Sequence, residues 1–274
     1  IRDIAGRQNH SVKLARKLQR KKHRRERGLL VGEGMDLLCA AVDAGAEVRD
    51  VLVRRELAAG LPPILLQRAA RSEHGGMPSV DVGVCDEETL DYASSMGGSV
   101  DVIFVCAVPV WNLSDLDLCE DLTLVLAGVG DPGNVGALVR SCAAFGAGGV
   151  VCAPGTADPY GPKAMRGGMG AQFLVPVVTE VSPADLKTRL DRVVGDGGPR
   201  PEVLVADPHR GEDVRSLRPD RGVLVIMGAE RTGPGDEWGH ARRVTVPQSR
   251  FDSLNVAMAG TILLYELRRE LAGK

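Results

Sequence analysis

Residues 122–140 read LTLVLAGVGDPGNVGALVR, an apolar run that leads through a glycine-rich turn into a helical pattern. The run Leu122–Ala127 is almost continuously apolar, which is typical of a strand buried in a parallel sheet. Helical segments alternate with five further apolar runs, and a long final helix begins near Ser253, capped by Asp252 or Ser253. This alternation predicts an α/β domain with a mostly parallel sheet over residues 121–274. The five further runs are 149–153, 174–178, 203–206, 223–227 and 244–246.

The first part of the chain predicts a second, smaller α/β domain. Its strands are expected near 29–31, 48–53, 80–84 and 102–105, and its helices near 34–44, 62–71 and 87–94. Residues 11–25 predict one helix with a modest apolar stripe and a wide basic face. Residues 108–120 contain Pro109, Trp111 and an acidic stretch, which is typical of a connection. The predicted organisation is a domain over 1–107, a linker over 108–120 and a domain over 121–274.

The charge of the chain is unevenly distributed. The 274 residues carry 34 Lys plus Arg against 36 Asp plus Glu, a formal net charge of −2. Residues 1–27 hold eleven basic side chains against Asp3 and Glu26, so this arm carries +9 and the remainder −11. Such asymmetry indicates a polyanion-binding arm on an acidic body. A solvated surface helix is the alternative interpretation.

The composition excludes several classes of protein. No apolar run approaches the ~20 residues of a membrane span, and residues 1–27 lack the apolar stretch of a secretory signal. The six cysteines form no CxxC pair, so we expect buried free thiols and no metal site. Aromatic residues make up only 3%, too few for base recognition by stacking. We expect a soluble, cytoplasmic protein that binds polyanions by charge and shape.

The turn at Gly128–Gly133 contains G-x-G-x-x-G between a strand and a helix, as a dinucleotide site requires. That interpretation also needs a carboxylate at the end of the next strand. The run 149–153 ends instead in Pro154, which argues against NAD. A helix N-terminus capped by Asp131 explains the turn but does not explain Asn134 or Arg140.

Two further polar stretches follow strands. Residues 224–234 read LVIMGAERTGP and place Glu230 where ligands bind in open α/β sheets, beyond the carboxyl end of a strand. Residues 244–260 read VTVPQSRFDSLNVAMAG and lead into the final helix. Helix capping explains Ser253, whereas Asn255, near the start of an apolar helix, needs a polar partner.

In this order and at these separations, the three stretches resemble the SpoU (TrmH-like) branch of the SPOUT RNA methyltransferases. The first family motif resembles Asn134-Val-Gly136 with Arg140, and the second resembles the stretch 228–234. The third resembles the loop at Pro247 that leads into 253–256. Residues 10–35 resemble the family's substrate-binding extension.

The resemblance implies S-adenosylmethionine as methyl donor and a ribose 2′-hydroxyl of structured RNA as acceptor. It also implies a C-terminal α/β trefoil-knot domain, a smaller N-terminal RNA-binding domain and a homodimer, with no metal and no membrane. The implied cofactor-binding residues are Met227, Gly228, Ala229, Val246, Pro247 and Leu254. The implied catalytic residues are Asn134, Arg140, Glu230, Ser253 and Asn255.

Loss of the ribose proton is the difficult step, because a hydroxyl is a very weak acid at neutral pH. Arginine is normally a donor, so we favour Arg140 as a stabiliser of the developing alkoxide or a phosphate contact. The candidates for proton acceptor are Glu230, Arg140 and water, and Glu230 is the best of the three.

The sequence departs from the family pattern at three positions. Gln248 and Arg250 stand where an apolar residue and a glycine are common, and Gly168 stands where a serine is frequent. The loop between Pro247 and Ser253 is one residue shorter. These departures concern individual cofactor contacts in the region 246–254.

The expected substrate is large-subunit ribosomal RNA. The alternatives are a methyltransferase that acts on transfer RNA and a catalytically inactive RNA-binding scaffold. A dedicated N-terminal domain suits structured rRNA, and the excess of Arg over Lys indicates a GC-rich genome. Antibiotic producers with such genomes use this family for self-protection, so we expect a resistance methyltransferase of the avilamycin-resistance type. The expected RNA-binding residues are Lys13, Arg16, Lys17, Arg20, Lys21, Arg24 and Arg25.

Overall fold

The structure is a computed structural model that describes residues 1–4, 6–70, 79–95, 100–230, 232–239, 241–250 and 252–272. Its contacts divide the chain into two units. The first comprises Ile1–Pro109 and Tyr160–Phe173, and the second comprises Val110–Pro159 and Leu174–Lys274. Residues 160–173 therefore pack with the first unit, although the chain reaches them after the second unit has begun.

The described residues form strands and helices in regular alternation. The strands are β1 (Arg2–Asp3), β2 (Leu29–Glu33), β3 (Val48–Arg54), β4 (Asp81–Cys85), β5 (Val102–Ala107), β6 (Leu122–Ala127), β7 (Gly149–Cys152), β8 (Val177–Thr179), β9 (Glu202–Ala206), β10 (Glu212–Asp213), β11 (Val223–Gly228) and β12 (Arg242–Thr245). The helices are α1 (His10–Leu18), α2 (Lys21–Arg27), α3 (Met35–Asp43), α4 (Pro63–Ala70), α5 (Glu87–Ala93), α6 (Pro132–Phe145), α7 (Pro162–Gly168), α8 (Pro183–Gly195) and α9 (Val256–Ala272). The end of the predicted helix 62–71, at Arg71, lies outside the described residues.

The first unit contains a mixed sheet in the order β1-β4-β3-β5-β2. β5 runs antiparallel to both of its neighbours, whereas β1, β4 and β3 are parallel. The fully buried side chains Leu30, Leu52, Ile103 and Phe104 come from three of these strands. These three strands therefore contribute side chains to the core of the unit, and helices pack against the sheet.

The basic segment forms two helices, so the prediction of a single helix over 11–25 is wrong. α1 ends at Leu18, and Arg20 takes an extended conformation before α2 begins. The Arg24 guanidinium donates to the carbonyl oxygens of Leu18 and Gln19, at 2.8 and 3.0 Å. These carbonyls lie at the end of α1 and have no partner within the helix, so Arg24 stabilises the break.

The second unit contains an all-parallel sheet in the order β10-β12-β9-β11-β6-β7-β8. β11 pairs with β6 from Val223 to Gly228 and with β9 from Val223 to Ile226. Leu224, Val225 and Ile226 in this central strand are completely buried. The carboxyl ends of β9, β11 and β12 consequently lie side by side at one edge of the sheet.

Two helices of this unit pack closely together. A Cβ atom on Gly260 of α9 would lie 2.4 Å from Leu138 Cδ2 of α6, so glycine allows the contact. The hydroxyls of Ser141 and Thr261 are 2.7 Å apart across the same interface. Helix α9 begins at Val256, later than predicted, because Asn255 rather than Asp252 or Ser253 accepts from the backbone N–H groups of its first turn.

Candidate active site and cofactor pocket

A tight loop follows β11 and folds back onto it. Ala229 and Gly233 exchange two backbone hydrogen bonds, of 3.1 and 2.9 Å, which close the loop. Gly228 packs against the returning chain so closely that a Cβ atom there would lie 2.2 Å from the nitrogen of Pro234. Only glycine fits at this point, and Glu230 is held at the tip of the loop. Arg231, which belongs to the same motif, lies outside the described residues.

A cavity of about 520 Å³ lies at the carboxyl ends of β9, β11 and β12. Five of the six predicted cofactor-binding residues line it, and Pro247 is the exception. Three of the five predicted catalytic residues, Glu230, Ser253 and Asn255, also line it. The predicted cofactor-binding residues at the cavity are Met227, Gly228, Ala229, Val246 and Leu254.

A chain of side-chain hydrogen bonds leads to Glu230. Asn255 Nδ2 donates to Asn134 Oδ1 at 3.2 Å, and Asn134 Nδ2 donates to Glu230 Oε1 at 3.0 Å. Asn255 is itself fixed, because its Oδ1 accepts from the backbone N–H of Ala257 at 2.9 Å. Asn134 lies in the first turn of α6, where the Asp131 side chain caps its backbone N–H. Two asparagines distant from Glu230 in sequence thus fix the orientation of its carboxylate.

The two remaining predicted catalytic residues stand apart from this chain. Ser253 is exposed at the cavity and forms no hydrogen bond with any described residue. Arg140 is exposed on α6, and within the described part of the chain it has neither a hydrogen bond nor an ion pair. It does not line the cavity. The structure therefore joins Asn134, Glu230 and Asn255 and leaves Arg140 available for an external anion.

The loop after β9 contributes a wall of the cavity that sequence reasoning missed. Ala206, Asp207, Pro208 and His209 all line it. Burial raises the pKa of Asp207, but hydrogen bonds from the backbone N–H groups of His209 and Arg210, together with the Arg243 guanidinium, outweigh that effect and hold the pKa below its ordinary value. The predicted strand over 203–206 could have indicated these residues. Parallel strands present their carboxyl ends at one edge of the sheet, so the residues that follow this strand lie at the same edge as Glu230.

Gln248 is a second feature of the cavity that was not assigned a role. Its side-chain oxygen is buried, and no group of the described residues donates to it. Gln248 lines the cavity together with the apolar side chains of Val246 and Leu254. An unpaired buried acceptor costs free energy, so a donor from a bound molecule fits this position.

The glycine-rich turn at 128–133 is not part of this cavity. Gly128 lies at the end of β6 with φ of 82°, and its N–H donates to the Thr156 hydroxyl at 3.1 Å. The turn leads into α6, whose N-cap is Asp131. No helix in the described part of the chain is long and apolar enough to cross a membrane. Within the same residues, no three His, Cys, Asp or Glu side chains group as metal ligands.

The basic arm presents most of its charges to solvent. Arg16 also lies over the Tyr92 ring, 5.4 Å from its centroid, and donates to the Ser94 carbonyl at 3.0 Å. Arg24 is only 5% exposed and donates inward, so its assignment as an RNA-binding residue is corrected to a structural one. The predicted RNA-binding residues with exposed side chains are Lys13, Arg16, Lys17, Arg20, Lys21 and Arg25.

Two protein families match the chain. The SpoU rRNA Methylase family matches residues 121–265, and the MRM3-like substrate binding domain matches residues 9–94. The first match contains the cavity and the chain of hydrogen bonds that leads to Glu230. The second contains the basic arm.

Individual relatives match over most of the chain. It is 28% identical to the 23S rRNA (uridine(2479)-2'-O)-methyltransferase of Streptomyces viridochromogenes, over 88% of this chain and 83% of that protein. It is 27% identical to the 23S rRNA (guanosine(2553)-2'-O)-methyltransferase RlmP of Bacillus subtilis, over 98% of this chain and 100% of that protein. The AdoMet-bound rRNA methyltransferase structure from Sinorhizobium meliloti superposes with a TM-score of 0.80 and 26% identity, covering 97% of each chain.

Proposed function

Because the chain belongs to the SpoU rRNA methylase family, we propose that it methylates ribose 2′-hydroxyls of 23S rRNA with S-adenosylmethionine as donor. The family match confirms the resemblance inferred from the motifs. The likeness to the Sinorhizobium meliloti structure confirms the predicted α/β class, with a C-terminal methyltransferase domain and a smaller N-terminal α/β domain, and the trefoil knot stays a prediction. The chain of hydrogen bonds that aims Glu230 at the cavity is the observation that carries the proposal.

The cavity suits S-adenosylmethionine. Its volume of about 520 Å³ lies within the range of small-molecule sites, and apolar side chains dominate its walls, as they do in such sites. The buried oxygen of Gln248 offers an acceptor to a polar group of the cofactor. Glu230 and Asp207, which both line the cavity, would offer negative charge to the positively charged groups of the cofactor. When bound, S-adenosylmethionine supplies an electrophilic methyl group.

The residues around Glu230 prepare it to take part in proton removal. Its Oε1 atom accepts from Asn134, which leaves Oε2 to accept from the ribose hydroxyl. Asn134 and Asn255 act as positioning residues, because they fix the direction of the carboxylate before substrate binds. Ser253 offers a hydroxyl at the rim of the cavity for the ribose.

Arg140 is suited to a phosphate or to the developing alkoxide. Its guanidinium is exposed and is not committed to any described residue. Arginine binds oxyanions through several N–H groups and does not lose its proton near neutral pH. We assign to Arg140 the stabilisation of the developing negative charge, and we assign to Glu230 the acceptance of the ribose proton.

The basic arm supplies affinity for RNA. Its exposed lysines and arginines repeat on α1 and α2, where they can contact successive phosphates. Such contacts release counterions and give binding that is salt-sensitive and weakly selective for sequence.

An enzyme that modifies ribosomal RNA acts in the compartment that holds ribosomes, the bacterial cytoplasm.

We further propose that the protein is a homodimer. Met258, Ile262 and Tyr265 lie on one side of α9 at helical spacing and are 62%, 38% and 52% exposed. A contiguous apolar stripe of this kind is typical of an interface. Light scattering on wild type and Ile262→Glu tests this, with Ile64→Glu, an exposed apolar position on α4, as control. We expect only Ile262→Glu to shift the mass toward a monomer, and a monomeric wild type would contradict the proposal.

The activity is tested by radiolabel transfer from S-adenosylmethionine to 23S rRNA and to transfer RNA. We expect wild type to label 23S rRNA, and Arg140→Ala to lose about 100-fold in rate because a charge-stabilising donor is removed. Labelling of transfer RNA alone would indicate the alternative substrate. No labelling of either RNA would indicate an inactive scaffold.

A role in antibiotic resistance is a separate proposal. The 23S rRNA relative from a Streptomyces species supports it. Ribose methylation mapped on rRNA from cells with and without the protein identifies the nucleotide. Growth of the same cells on ribosome-targeting antibiotics, avilamycin included, tests the resistance. Equal sensitivity of both strains would assign the protein a housekeeping role.

A further inference from the structure

The Gln248 side chain is a polar group in a cavity wall that is mainly apolar. Its Oε1 atom is buried, and the carboxamide makes no hydrogen bond with any described residue. The side chains of Val246 and Leu254, which line the same cavity, carry neither donors nor acceptors. A buried carbonyl oxygen without a donor is costly, so this arrangement is explained by a donor that arrives with a ligand.

We propose that Gln248 determines specificity for the adenine base of the cofactor by accepting a hydrogen bond from its 6-amino group. This inference rests on the proposed use of S-adenosylmethionine. It goes further because it assigns the recognition to a side chain at a position where the family commonly has an apolar residue.

The chemistry of the carboxamide favours adenine over the other donor of the cofactor, the α-ammonium. A carboxamide presents an acceptor beside a donor, and the edge of adenine presents the complementary donor beside an acceptor, which is why Gln and Asn pair with adenine in nucleic acids. A cationic ammonium is better matched by a carboxylate. The same cavity offers Asp207 for that purpose.

The structure also provides a matched control. Ser249 is adjacent to Gln248 in sequence, but it is exposed and does not line the cavity. A change at Ser249 disturbs the same short loop without removing the proposed acceptor. Ser249→Ala should therefore bind ligands as the wild type does.

Calorimetric binding of S-adenosylhomocysteine, the stable product that remains when the cofactor has lost its methyl group, tests the proposal. Two analogues complete the set: one carries hydrogen in place of the adenine 6-amino group, and the other lacks the α-amino group. We expect Gln248→Met to bind S-adenosylhomocysteine about tenfold more weakly than wild type. For the analogue without the 6-amino group, wild type and variant should agree within about twofold, since the lost partner is absent from the ligand.

Two outcomes would overturn the proposal. One is an unchanged affinity of Gln248→Met for S-adenosylhomocysteine. The other is a tenfold loss of affinity that does not depend on the 6-amino group. Such a loss would persist for the analogue that lacks the 6-amino group, or would disappear for the analogue that lacks the α-amino group. Thermal unfolding of the ligand-free proteins gives a second measurement, since Gln248→Met removes an unpaired buried acceptor and should not lower Tm. If the variant does not fold, the comparison of the three ligands on wild type still tests the 6-amino contact. Absence of any binding to wild type would instead contradict the proposed function.

Discussion

The basic arm and the cofactor cavity both bind charged or polar ligands, but they are built in opposite ways. Lys13, Lys17 and Arg20 of the arm are exposed and repeat along α1 and its end, and no described residue pairs with them. At the cavity, Glu230 is held by Asn134 and Asp207 by the backbone N–H groups of His209 and Arg210. The arm therefore depends on the number of charges, and the cavity depends on their positions.

This difference predicts how each region responds to change. Attraction to phosphates is long-ranged and is screened by salt, so the arm should lose affinity gradually as charges are removed. A fixed carboxylate beside a bound cofactor acts over hydrogen-bond distances, so small displacements at the cavity should have large effects.

The largest effect is expected at Gly228. In Gly228→Ala the new Cβ atom would meet the backbone of Gly233 and Pro234 at 2.2–2.3 Å, so the loop that carries Glu230 must move. We expect binding of S-adenosylhomocysteine to weaken by about 100-fold. Gly130→Ala is the control, because a Cβ atom there meets nothing within 4 Å. Comparable losses in both variants would show that the effect is not specific to the loop.

A smaller effect is expected when charge is removed from the arm. The double change Lys17→Gln and Arg20→Gln should weaken binding of an rRNA fragment by about tenfold near 0.1 M salt, and should reduce the salt slope by about 1.5. Cofactor binding should be unchanged. The matched control, Lys187→Gln with Arg192→Gln, removes the same charges from exposed positions on α8. An equal loss in the control would mean that net charge, rather than the arm, determines affinity.

Periodicity predicted most of the fold because the strands are short, apolar and buried. The second-unit strand Leu122–Ala127 was predicted with the bounds that the structure gives it. The break between α1 and α2 could not be predicted, because neither glycine nor proline marks it. The break depends on the hydrogen bonds from the Arg24 side chain to the carbonyl oxygens of Leu18 and Gln19. These residues are close in sequence, but no helix or strand pattern specifies the bonds.

The site was predictable only in part, because strand ends can be located from the sequence but the contacts between them cannot. Asn134, Glu230 and Asn255 follow strands whose carboxyl ends meet at one edge, but they are separated by 96 and 121 residues. Their mutual hydrogen bonds depend on the packing of α6 against α9, which no local pattern specifies. The choice of Asn255 as helix cap depends on the same packing. Residues 206–209 line the cavity but belong to none of the three motifs, so the motif pattern did not indicate them.

A third prediction divides the arm itself. Arg24 is buried and holds two carbonyl oxygens, so Arg24→Met should lower the stability by about 2 kcal/mol, which corresponds to a fall in Tm of about 4–8 °C. Arg25→Met, on the exposed side of the same helix, should leave Tm within about 1 °C and weaken RNA binding modestly. Thermal unfolding and RNA binding of both variants measure the contrast. Equal Tm values would contradict the structural role of Arg24.

The smallest effect concerns the pH dependence of the cavity wall. Hydrogen bonds hold the pKa of Asp207 below its ordinary value despite its burial, so its carboxylate stabilises the folded protein above about pH 4. That contribution is lost as the pH falls through the lowered pKa. Asp207→Asn should therefore lower Tm slightly at pH 7, and the difference from wild type should shrink as the pH falls below 4. Glu120→Gln, at an exposed carboxylate, should show no such convergence. A difference for Asp207→Asn that stays constant down to pH 3 would mean that the side chain acts through its shape rather than its charge.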